Sequence, residues 1–156
     1  MKVLYYDFDG KEQRGELVCN KAISKDLLEI FEELYEKKYP IAKMRLIDEY
    51  DANDEKSMAD NNTSCFNFRK VSGKNTLSKH SMGMAIDINP LYNPYIHKMN
   101  GKRVVEPANA GKYADRSASF PGKIDKNDLC YKLFIRHGFR WGGNWKYSKD
   151  YQHFEK

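Results

Sequence analysis

Between Met84 and Asn89 the chain reads Met-Ala-Ile-Asp-Ile-Asn, an apolar run with a carboxylate in its middle. Side chains of an extended segment point alternately to its two faces. Met84, Ile86 and Ile88 are therefore expected in a core, with Ala85, Asp87 and Asn89 on the opposite face. A carboxylate in so apolar a strand is costly to bury unless a cation meets it. Just upstream stands Ser78-Lys79-His80-Ser81-Met82-Gly83. Gly83 permits a turn that returns His80 to the side of Asp87, and the small Ala85 leaves room between them. A second run, Asp150-Tyr151-Gln152-His153-Phe154-Glu155, closes the sequence. As a strand it points His153 away from Gln152 and Phe154.

Two imidazoles and one carboxylate, His80, His153 and Asp87, make the three-ligand set of a catalytic zinc, which keeps its fourth position for water. The metal brings the pKa of that water down to about 7. Asp150, just ahead of His153, is then a natural general base. Strict alternation would put Asp150 on the face opposite His153, so a turn or bulge at Asp150–Tyr151 is required. On spacing alone, His80 and Asp87 also suit ordinary structural roles. Two histidines and a carboxylate can equally form an iron(II) facial triad. The wide spacing of His80 and Asp87 and the well-marked helices argue against the double-stranded β-helix oxygenases.

The 156 residues suit one domain with an adequate core. With 40% hydrophobic and 31% charged residues, disorder and a fibrous design are excluded. No apolar run is long enough for a membrane span. Met1-Lys2-Val3-Leu4 leads straight to Asp7 and Asp9, so no signal peptide is expected. The net charge of +5 is scattered among acids, which suits an anionic polymer such as a cell wall at least as well as nucleic acid. Cys19, Cys65 and Cys130 form no CxxC pair and are read as small buried thiols.

Helical spacing of Leu27, Leu28, Phe31, Leu34 and Tyr35 predicts a helix from Ser24 to Lys38, capped by Ser24. Alternation predicts a half-buried strand over Ile41–Asp48, with Ala42, Met44 and Leu46 inward. A short helix is expected over Asp54–Asp60, extended segments over Thr63–Val71 and Met84–Asn89, and a second helix over Lys126–His137 ending at Gly138. Pro90–Lys123 reads as a long loop that could wall a groove. The tail from Gly143 to Glu155 carries aromatics at strand-like spacing. Helices and strands are segregated, which predicts an α+β fold on a central antiparallel sheet, with residues 1–23 as an extension packed on the single domain. His137 is expected to be structural, near helix-end carbonyls, and His97 to lie on a loop surface. Trp141, Trp145, Tyr92 and Tyr95 are candidates for the walls of a substrate groove, with core packing as the equal alternative for Trp141 and Trp145.

The pattern Ser-x-His-x-x-Gly-x-Ala-x-Asp-Ile (Ser78–Ile88), followed by Asp-x-x-His-Phe-Glu (Asp150–Glu155), closely resembles one family of zinc peptidases. It includes D-Ala-D-Ala carboxypeptidases, D-Ala-D-Ala dipeptidases and phage L-alanyl-D-glutamate endopeptidases. The likeness runs from about Tyr35 to the C-terminus and takes in Asp60–Arg69 and Ile88–Tyr95. It implies a hedgehog/D-Ala-D-Ala peptidase-like domain with one Zn2+ per chain held by His80, Asp87 and His153, and Asp150 as base. It further implies that Arg69 steadies the polarised carbonyl and that Ser78 lies near the substrate, a peptidoglycan stem peptide. The expected state is a monomer with no nucleic-acid partner. Such an enzyme works at the cell wall, outside the cell or in the periplasm, reached by export or by phage-type holin release. Many carboxypeptidases of the family carry Glu where this chain has Asp150, which tilts the reading toward the endopeptidase branch. The alternative is a non-catalytic zinc domain that only binds partners, as in hedgehog signalling domains; a complete set of His80, Asp87, His153 and Asp150 favours catalysis.

Overall fold

The computed structural model describes residues 1–71 and 75–156. β1 (Lys2–Tyr6) and β2 (Glu12–Glu16) form an antiparallel hairpin. α1 (Lys21–Glu36) follows and buries Ile23, Leu27, Ile30, Phe31 and Leu34, an apolar stripe at helical spacing. Its start differs from the expected Ser24. Asn20 caps it, accepting from the Ala22 N–H at 3.0 Å, while the Ser24 hydroxyl donates to the Lys21 carbonyl inside the first turn. Asn20 is itself held from a distance, donating to the carbonyls of Gly83 and Met82. Those tertiary bonds fix the helix start, and local propensity could not reveal them.

The alternation read over Ile41–Asp48 does not hold. Only β3 (Lys43–Met44) is a strand, and Ile47–Tyr50 is a 3-10 turn. The buried residues are Ile41, Met44 and Ile47, so the inward set recurs every third residue and excludes Ala42 and Leu46. α2 (Asp54–Ala59) is where expected, capped by Asn53. β4 (Asn62–Thr63) runs parallel to β3, and β5 (Ala85–Asp87) follows.

Pro90–Lys123 is not one long loop. It contains the antiparallel pair β6 (Tyr95–Met99) and β7 (Lys102–Glu106), then a 3-10 helix at Ala108–Ala114. Asn100 and Gly101 turn the hairpin with φ of 51° and 76°, the left-handed pair that a two-residue turn of this kind demands. Arg116 fastens the rest from within, donating to the carbonyls of Tyr92 and Ile124 and to Asn93 Oδ1.

α3 (Leu129–Arg136) begins later than the expected Lys126, because the Asp128 carboxylate caps it at Cys130 N–H, 2.9 Å. β8 (Arg140–Trp141), β9 (Lys149–Asp150) and β10 (His153–Glu155) complete the chain. The fold mixes helix and strand, as expected. In place of one central sheet, the described strands fall into four small ones: β1-β2, β3-β4, β5-β10-β8 and β7-β6-β9. Two backbone hydrogen bonds between Ser64 and Asp87 stitch the end of β4 to β5. One buried cluster unites Tyr5 and Leu17 near the N-terminus with α1, Ile86, Ile88, Phe134, Trp141 and Phe154. Cys65 and Cys130 are buried free thiols, while Cys19 is only partly buried. Among the described residues, no helix is long and apolar enough to cross a membrane.

Candidate metal centre

β5 and β10 lie side by side with His153 directly opposite Asp87. The third group arrives by a tight return. Ser78 accepts from the His80 N–H at 3.3 Å and starts the 3-10 turn Lys79–Met82, which Gly83 closes with φ 63°. A Cβ on Gly83 would fall 2.7 Å from the Asn20 nitrogen, so both the conformation and the space require glycine. The turn sets His80 Nε2 3.2 Å from Asp87 Oδ2 and 3.1 Å from His153 Nδ1, and His153 Nδ1 lies 3.1 Å from Asp87 Oδ1. All three residues are buried, and one ligand atom from each lies within 4.8 Å of the others.

The outer hydrogen bonds fix which nitrogens face inward. His80 Nδ1 donates to the Cys65 carbonyl at 2.6 Å, leaving the Nε2 lone pair toward the site. His153 Nε2 faces Glu155 Oε2 at 3.3 Å, leaving Nδ1 inward. Such outer partners orient metal-bound imidazoles. Two ring nitrogens this close need a proton or a cation between them. Burial alone would push the Asp87 carboxyl up, but the two imidazoles outweigh it and hold the group far below the usual carboxylate range. Burial opposes the charge on His153, and the Asp87 and Glu155 carboxylates override it and carry the imidazole to about 10. Two nitrogens and a carboxylate, buried and converging, fit a small divalent cation with borderline N/O preference.

Alternation demands a turn or bulge at Asp150–Tyr151, and the bend lies one residue on, at Tyr151–Gln152. Asp150 in β9 pairs with Tyr95 of β6, whereas His153 in β10 pairs with Asp87 of β5. The chain changes sheets across Tyr151–Gln152, and the parity conflict disappears. Asp150 lines the same cavity, of about 150 Å³, as the three converging residues. Burial raises its carboxyl to about 8; the Asp87 and Asp54 charges add to that, and His153 and Arg69 oppose it. Its Oδ1 has no hydrogen-bond partner among the described residues. Gly142 makes the room: a Cβ there would stand 2.6 Å from the Asp150 carbonyl oxygen and 2.7 Å from its Cβ.

Arg69, Ser78 and Trp145 also line the cavity. Arg69 Nε sits 2.9 Å from Asp54 Oδ2, an ion pair in which the N–H does not point along the contact. Trp145 stands over His153, ring centres 5.3 Å apart, and meets Tyr95 edge-on at 6.5 Å. Trp141, a candidate for the groove or the core, is a core residue. Its indole N–H donates to the Tyr151 carbonyl and its ring packs against Tyr131 and Phe154. Tyr92 is likewise turned away, against Phe8 and Tyr113, whereas Tyr95 lines the cavity. His97 is not on a loop surface. It is buried in β6, stacked on Tyr95 at 4.4 Å and 3.3 Å from Glu106. His137 ends α3 as a structural residue, but its ring faces Asp26 of α1 at 3.4 Å rather than helix carbonyls. Sequence reasoning missed Asp54, Glu155 and Gln152. Only Glu155 left a signal: two residues past His153, it shares a face with it in a strand.

Residues 72–156, more than half of the chain, match the family described as D-alanyl-D-alanine carboxypeptidase. The chain belongs to this family. It is a family of peptidoglycan-related peptidases, and its matched segment contains His80, Asp87, Asp150 and His153. No curated protein and no solved structure gives a significant match.

Proposed function

We propose that this carboxypeptidase-family domain is a zinc-dependent hydrolase of peptidoglycan stem peptides, cutting at a bond next to a D-configured residue. The observation that carries the reading is the convergence of His80, Asp87 and His153 beside Asp150, whose buried Oδ1 has no partner among the described residues. Zinc fits the donor set, with one ion per chain held by His80, Asp87 and His153. When bound, it acidifies a water and polarises the scissile carbonyl. Asp150 takes the proton of the attacking water and passes it to the departing amine. Burial favours the protonated carboxyl, which suits donation to the departing amine, while the charge of a bound cation would favour the carboxylate that accepts the water proton. Arg69, on the cavity wall, offsets the charge that grows on the carbonyl oxygen. Ser78 and Trp145 border the bound peptide, and the domain has the hedgehog/D-Ala-D-Ala peptidase-like arrangement.

Removal of the terminal D-Ala is the primary activity proposed. Cleavage between L-Ala and D-Glu is the second, favoured by Asp rather than Glu at position 150. The protein acts as a monomer at the cell wall, reached by export or by phage-type release. Mass spectrometry of muropeptides, digested with the zinc-loaded protein with and without a chelator, tests the reading. Loss of a C-terminal alanine marks the carboxypeptidase, and release at L-Ala–D-Glu marks the endopeptidase. Unchanged muropeptides, or cleavage indifferent to the chelator, would refute zinc-dependent hydrolysis.

A further inference from the structure

Gln152 bridges the base-bearing β9 and the histidine-bearing β10. It lines the cavity, and its side chain is almost wholly buried, at 1% exposure. Neither Nε2 nor Oε1 has a hydrogen-bond partner among the described residues. Its main chain is engaged, the carbonyl accepting from the Ile88 N–H at 3.0 Å, so the backbone is fixed while the amide is idle. A buried amide with neither group matched is a standing cost that a folded chain normally avoids. Asp150 Oδ1, two residues earlier on the same cavity wall, is also without a partner among the described residues, and no hydrogen bond joins it to the Gln152 amide.

We infer that Gln152 is a substrate-binding residue whose side-chain amide pairs with the N–H and C=O of one residue of the bound chain, adjacent to the scissile bond. A primary amide presents N–H donors and a carbonyl acceptor a short distance apart. In an extended peptide the N–H and C=O of one residue point to the same side, so one residue of a peptide in the cavity satisfies both idle atoms at once. A carboxylate ligand would satisfy only Nε2, and an ammonium group only Oε1. This inference rests on the peptidase reading above. The bonds are made to a part of the substrate that does not react, so they act on ground state and transition state alike.

Steady-state hydrolysis of a stem pentapeptide ending in D-Ala-D-Ala and of muropeptides, with zinc content and thermal unfolding on the same samples, tests it. Gln152→Met keeps the length and removes both polar atoms. It should raise Tm, because an unmatched buried amide is gone, and raise KM about tenfold or more, with kcat within about threefold and zinc content unchanged. Gln152→Asn, one methylene shorter, should raise KM without raising Tm, which keeps the test usable if the methionine variant folds poorly. A merely structural glutamine would not couple higher stability to weaker substrate binding. Wild-type KM in both variants, with an active parent, overturns this role and leaves the peptidase reading intact. An inactive parent refutes that reading first and this role with it.

Discussion

His80 Nε2 and His153 Nδ1 lie 3.1 Å apart although 73 residues separate them in the chain. The contact is sustained by the antiparallel pairing of β5 with β10 and by the turn at Gly83. His153→Ala should abolish stoichiometric zinc binding, read by atomic spectroscopy after dialysis. Glu155→Ala, which removes the outer partner of His153 together with an ion pair to the exposed Arg140, should weaken zinc by about 10–100-fold. Equal zinc retention in wild type and His153→Ala would remove this residue from the ligand set.

Asp150→Ala should separate metal binding from turnover. The carboxylate is in the cavity but is not one of the three converging ligands, so zinc content should stay at the wild-type level. Hydrolysis should fall by about 10²–10⁴, the usual worth of a general acid–base group. Wild-type rates in this variant would place the proton transfer elsewhere.

Gly142→Ala tests how closely Asp150 is seated. The added Cβ meets the Asp150 main chain at 2.6 Å, and also stands 3.3 Å from His153 Cβ. Neither neighbour is the free end of a flexible chain, so the β9 segment must shift. The expected cost is about 1–3 kcal/mol of stability, with kcat lowered by tenfold or more at unchanged zinc content. Unaltered kcat at full zinc occupancy would mean that the base tolerates displacement.

Asp128 gives the fold a pH dependence distant from the metal. Burial holds its pKa up at about 6, despite hydrogen bonds from the Cys130 and Tyr131 N–H groups and the Tyr39 hydroxyl. A folded state that binds the proton more tightly than the unfolded state gains stability at low pH. The gain is complete below about pH 4 and is lost as pH rises through about 6. Asp128→Asn keeps the helix cap and removes the titration. Urea unfolding at pH 4 and pH 7 should show wild type losing on the order of 2–3 kcal/mol relative to the variant across that interval. Parallel pH profiles would contradict this assignment.

The convergence of His80, Asp87 and His153 was legible from local chemistry joined to the motif resemblance, since spacing alone also suited structural roles. A carboxylate stranded in an apolar strand, a histidine across a glycine turn and a terminal histidine need few long-range facts. What escaped was set by distant contacts or hidden by composition. Asn20 outcompetes Ser24 as a cap because residues 82 and 83 hold it. The β6–β7 hairpin lay inside a stretch rich in turn-forming residues, although Asn100-Gly101 is itself a strong turn signal. Trp141 could be a wall or a core residue by sequence, and only its ring contacts with Tyr131 and Phe154 decide for the core.

Because β9 and β10 belong to different sheets, the proposed base Asp150 and the proposed cation ligand His153 rest on separate supports. Remodelling the β6–β7 hairpin to suit another peptide would tug on Asp150 while sparing His153. Drift in specificity would therefore register first as slower chemistry on a fully metallated protein.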